Sequence, residues 1–264
     1  MRTRLLSTLL ALCMVLTMLP AEVWAAENDA GTRAVSAAND RTAIWDGTVA
    51  DSYAGGSGTA KDPYLIATGA QLAKVAFDTN QSETAIAKSY RLVNDIYLND
   101  ISSCDLWATL PPANSWTPIG NNAHRFKGTF DGAGYVIYGA YIKSNSDFGG
   151  IFGNIETSTI QNLGSESSYI CGNNSVGGIV GFITGTENAV ISCYNKGTVL
   201  GTNHIGGIVG QVDLQAAMFI SLHIDKCYNL GKVSGNSCVG GIGGNGAVAT
   251  MTSCYNVGEI SGDS

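Results

Sequence analysis

Charge is scarce in this chain. Asp, Glu, Lys and Arg make up 13% of its 264 residues, and the formal net charge is −7. So small a basic content excludes an extended nucleic-acid footprint. Histidine is rarer still: His124, His204 and His223 are scattered, and no cysteine pair has the close spacing of a zinc site. No Lys-Ser/Thr phosphate loop and no nucleophile elbow occur. The 34 glycines lack the every-third-residue period of collagen, and an apolar content of 45% argues against disorder.

The first 25 residues read as a secretory signal peptide. Arg2 and Arg4 precede an apolar run from Leu5 to Leu19, followed by Pro20 and a small-residue site ending at Ala25. The run is too short for a membrane span. Residues 26–43 are polar and aperiodic, as expected of a linker. Residues 44–110 predict an N-terminal cap: a strand at Tyr64 to Ala67, a helix from Gly69 to Thr79, and a strand from Tyr90 to Leu98. Thr68 with Gln71 has capping-box spacing, and Leu72, Val75 and Ala76 share one helix face.

Residues 111–264 are repetitive. FGGIFG (Phe148 to Gly153), VGGIVG (Val176 to Gly181), IGGIVG (Ile205 to Gly210) and VGGIGG (Val239 to Gly244) recur. Between them run CYNKGTV, CYNLGKV and CYNVGEI, starting at Cys193, Cys227 and Cys254. Periods near 30 residues mark a repeat architecture. Glycine disfavours helices, and no helical apolar stripe runs through the units. About three short strands per unit predict an all-β chain: a right-handed parallel β-helix, a solenoid with a small N-terminal strand–helix–strand cap. A propeller would need about four strands per blade and longer repeats. The paired glycines are expected to supply tight corners and close backbone approach.

Stacking assigns roles by column. If IQNL (Ile160 to Leu163) matches VISC, IDKC and MTSC, then Cys193, Cys227 and Cys254 continue the place of Leu163. A rival frame puts Ile160 there. Either column is apolar, which suits buried thiols; a Cys193–Cys227 disulfide meets the distance criterion but not, comfortably, the torsion. Strand alternation then points Tyr194, Tyr228 and Tyr255 outward as a ladder. Such rings are a candidate surface for sugars or protein, or stabilise the coil as stacked neighbours.

The GG-[IV]-[VF]-G tiles, the CYN-x-G segments, GSGTAKDPYLI (Gly56 to Ile66), WTPIG (Trp116 to Gly120) and FKGTFDGAGYVI (Phe126 to Ile137) resemble the GLUG-motif bacterial surface proteins. The resemblance covers Trp45 to the C-terminus. It implies export, surface display and β-helical stalks or adhesin-like regions, and no defined ligand. Some relatives carry a zinc peptidase domain, but no HExxH stands here. The family continues into further repeats or anchoring modules, so the expectation is either a fragment, with downstream anchoring modules, or a stack that ends raw and pairs with a partner.

The function expected is therefore a non-enzymatic adhesin or rigid stalk, secreted or on the cell surface. Its partner would be a host glycan or surface protein, with no cofactor, no metal, no nucleic acid and no membrane insertion after cleavage. The alternative is a carbohydrate-active β-helix enzyme, a lyase or hydrolase. For that chemistry Asp131 and Asp147 are the available carboxyl pair, although Asp131 lies in the turn signature FDGAG. Arg125, Lys127 and Lys143 are the available cations, while Trp107 and Trp116 read as core.

Overall fold

The computed structural model describes residues 43–81, 87–213, 222–246 and 249–263, all within one of the two compact units of the chain. The signal-peptide segment and, apart from Ala43, the linker segment lie outside the described residues. The chain is mostly β, and every pairing between its named strands is parallel.

The opening is strand–helix–strand. β1 (Tyr64–Ile66) pairs parallel with β2 (Lys88–Leu92), and α1 (Gly69–Gln81) connects them. Leu72, Val75 and Ala76 bury the apolar stripe of α1 in the same core as Ile66 and Leu92. Thr68 Oγ1 accepts from the Gln71 amide at 3.3 Å. Gln71 Oε1 reaches back to the Ala67 amide at 2.8 Å, one residue earlier than the standard capping box.

Beyond residue 173, successive turns of the chain repeat five short strands where about three were expected. The first set is Asn174–Gly177, Val180–Thr184, Asn188–Ile191, Tyr194–Asn195 and Thr198–Leu200. Each pairs with its counterpart one repeat later: Val176 with Ile205, Val180 with Val209, Val190 with Ile224, Tyr194 with Tyr228, and Val199 with Val233. A third set, Ser237–Gly240 through Ile260–Gly262, pairs on the second in the same way. We call each set a rung.

The extra strands arise at corners. AVISCYN breaks at Ser192, whose φ is +53°, as do its counterparts Asn162, Lys226 and Ser253 at +51° to +53°. These corners use side-chain-bearing residues in the left-handed region, each at some steric cost. The paired glycines serve mainly the other expected role, close approach. A Cβ on Gly177 or Gly206 would strike the carbonyl oxygen of Val180 or Val209. On Gly178, Gly207 and Gly241 it would lie 2.5–2.6 Å from Cγ of Asn195, Asn229 and Asn256. The second glycine of the three later tiles thus makes room for the asparagine of the CYN segment that closes the same rung.

The core consists of columns of like residues. Ile151, Ile179 and Ile208 are buried along one line, and Ile170, Val199 and Val233 along another. Gly164 pairs with Tyr194 and Ile160 with Val190. That register puts Leu163 below Cys193 and gives Ile160 its own column, which decides between the two sequence frames. Trp107 and Trp116 are both buried. Burial weakens in the last rung, where Met251, Tyr255, Val257 and Ile260 are exposed.

Candidate functional site

The CYN segments alternate in, out, in. Cys193 and Cys227 are fully buried, Tyr194 and Tyr228 face outward half-buried, and Asn195 and Asn229 are fully buried. The cysteines are free thiols, with Cys254 only partly covered. Each donates to the carbonyl two residues back, at 3.2–3.4 Å. Burial pushes the Cys193 thiol well above its ordinary range. The column packs as small apolar groups with a weak donor satisfied.

The asparagines form an internal ladder. Asn195 Nδ2 donates to Asn229 Oδ1 at 2.8 Å, and Asn229 Nδ2 to Asn256 Oδ1 at 2.7 Å. Each also closes a local turn with the glycine two residues on, as Gly197 N donates to Asn195 Oδ1 at 3.0 Å. A buried amide is stable only when its polar atoms are paired, and stacking equivalent residues pairs them rung by rung.

Outside, the predicted tyrosines do come together. The rings of Tyr194 and Tyr228 lie 4.9 Å apart and 3° from parallel; those of Tyr228 and Tyr255 lie 5.1 Å apart and 5° from parallel. The lower face of Tyr194 rests on Gly164, where a Cβ would sit 2.5 Å from the ring. The rings therefore cover one another's faces, and the column shows ring edges and hydroxyls along its length. Tyr255, at the end, is half exposed.

A neighbouring column escaped the sequence reading. Tyr97, Tyr138, Glu166 and Lys196 lie in successive repeats of the same wall, and Tyr97 and Tyr138 stack at 4.6 Å. Glu166 Oε1 accepts from Tyr194 Oη at 2.7 Å and from Lys196 Nζ at 2.9 Å. Lys196 also sits 5.1 Å above the Tyr194 ring. Burial, then the Glu166 bond and charge, hold the Tyr194 hydroxyl far above its ordinary pKa. Burial raises Tyr138 and Tyr228 as well. The signal for this column was weak, because only the IY pairs at Ile96–Tyr97 and Ile137–Tyr138 repeat.

The other candidates are dispersed among structural roles. Asp131 accepts from the Ala133 amide and from Asn162 Nδ2, both at 2.9 Å, which is a turn role. Asp147 Oδ1 accepts from Asn173 and Asn174 at 2.9–3.1 Å. Arg125 and Lys127 both pair with Glu156, and Lys143 donates to the Ala108 carbonyl. His124 Nδ1 lies 2.8 Å from the Asn80 carbonyl. Among the described residues no group of three or more His, Cys, Asp or Glu side chains could hold a metal ion, and no helix is long and apolar enough to cross a membrane.

No family model matches the chain. Over 142 residues it is 37% identical to a protein of Evansella cellulosilytica provisionally described as a Gly-rich membrane protein, a match covering 53% of this chain and 15% of that protein. Over 178 residues it is 31% identical to Halomucin of Haloquadratum walsbyi, covering 66% of this chain and 2% of that protein. The chain thus spans a small fraction of either relative. In fold it is similar to a crystal structure provisionally titled an immunoglobulin A1 protease from Bacteroides ovatus, with a TM-score of 0.52, 17% identity and 80% of each chain covered.

Proposed function

We propose that the chain is an exported, surface-displayed module, a right-handed parallel β-helix that acts without catalysis as an adhesin or rigid stalk. The observation that carries this reading is the parallel pairing of its rungs, each laid on the last at about 4.8 Å and tied by the asparagine and tyrosine columns. Nearest-neighbour stacking of this kind makes a stiff, quasi-one-dimensional body whose walls repeat a surface along its length. The strong preference of β–helix–β connections such as β1–α1–β2 for the right hand supports that handedness. The relatives, one named as a Gly-rich membrane protein and the other as Halomucin, support surface display.

The test has two parts. Intact producing cells are treated with protease, and loss of the chain from the outer surface is followed by antibody; protection from protease contradicts display. The purified chain is then run on a glycan array and, in parallel, assayed for release of reducing ends from the same glycans. Retention without turnover is expected of an adhesin, and neither is expected of a plain stalk. Sustained release of reducing ends contradicts the non-enzymatic reading.

A further inference from the structure

Away from the tyrosine column, residues 115–121 and 142–149 face each other across a cleft of about 340 Å³. That size lies at the lower end for small-molecule sites, roughly 300–1,000 Å³. Part of its polar rim is uncommitted. Among the described residues, the hydroxyls of Ser115, Thr117 and Ser146 and the amide nitrogen of Asn121 bond to no protein atom, for Asn121 uses only its oxygen, on Ala123 N and His124 N. Asp147 uses one carboxylate oxygen on Asn173 and Asn174. Lys143, which donates to Ala108, balances its charge, so the lining is neutral.

Phe148 adds an apolar wall. It occupies the corner held in later rungs by Ser175, His204 and Cys238, and all four have φ between +52° and +65°. A bulky aromatic is the least suited of the four to that conformation. The corner does not require a ring, since serine makes it one rung on. The ring packs 5.0 Å from Phe182 and lines the cleft. A neutral wall of hydroxyl and amide groups beside one aromatic face suits a ligand with many hydroxyls, one C–H face and no charge.

We propose that this cleft binds a neutral pyranoside ring, its C–H face on Phe148 and its hydroxyls on Thr117, Asn121, Ser146 and Asp147. The proposal deepens the adhesin reading, on which it rests, by naming the ligand class and the place. The test is a titration of the isotope-labelled full chain with the methyl glycosides of glucose, galactose and mannose, and with galacturonic acid as the anionic comparator, read by backbone amide shifts. Saturable millimolar shifts confined to residues 115–121 and 142–149 are expected for at least one neutral glycoside. Phe148→Gly suits the positive φ and removes only the ring, so it should fold and bind about tenfold more weakly. Thr117→Val should weaken binding while keeping the volume, and Val257→Ser, at an exposed side chain outside the cleft, should leave it unchanged. No shift with any neutral glycoside at tens of millimolar, shifts on the tyrosine column instead, or preference for galacturonic acid would each overturn it. Glycan-array retention that survives Phe148→Gly removes this site and leaves the adhesin reading standing. Cleft binding by a chain that proves protease-protected in cells removes surface display and leaves the site.

Discussion

Asn229 makes four hydrogen bonds from a fully buried position: to Gly231 N and O, to Asn195 Nδ2 below and to Asn256 Oδ1 above. Truncating it leaves several of those groups unpaired in the interior, at roughly 1–3 kcal/mol for an orphaned buried polar group. Asn229→Ala should therefore destabilise the chain by about 2–3 kcal/mol, measured by urea unfolding; a loss under about 0.5 kcal/mol, the usual range for a surface change, would mean the ladder is not formed. The GG and CYN segments were both legible as repeats, but their partnership was not. Gly178 and Asn195 are 17 positions apart in sequence, and nothing in either tile taken alone shows that the glycine's missing Cβ is the space its asparagine fills.

The tyrosine column is an element-scale device with a pH signature. Tyr194 and Tyr228 of the column, and Tyr138 of the column beside it, keep their protons above the ordinary pKa of about 10 because burial disfavours the phenolate. The unfolded chain releases those protons near pH 10 while the folded chain holds them. The column's contribution is therefore complete below that pH and is lost as pH rises through the folded values. Alkaline titration should show tyrosinate absorbance lagging for these residues and rising together with loss of the far-ultraviolet β signal, and Tyr194→Phe should flatten the fall in stability. Full ionisation near pH 10 with the fold intact would contradict it. Outward tyrosines were legible from strand alternation, whereas Glu166 was not, because the earlier rungs carry no CYN segment to align it. The number of strands per rung also escaped, since corners at Asn162, Ser192, Lys226 and Ser253 carry no shared turn residue.

For the whole molecule, the repeat period exposed the parallel pairing of successive repeats, and the columns followed from it. Alignment by sequence failed where a corner changes length. Matched tile to tile, Phe148 falls beside Val176, but Phe148 N donates to Asn174 O and Gly177 N donates to Gly149 O, so Phe148 occupies the place of Ser175. That one-residue difference brings Phe148 into the cleft and could not be seen without the backbone register. Everything proposed for the chain depends on equivalent residues of successive repeats being vertical neighbours in solution. Nuclear Overhauser spectra of the full chain, deuterated except at tyrosine, test this most directly. Cross-peaks between the rings of Tyr194 and Tyr228 and of Tyr228 and Tyr255, at the 4.9 Å and 5.1 Å centroid spacings, are the predicted result. Their absence from a folded sample, or contacts linking these rings to other repeats out of order, would contradict the stacked register.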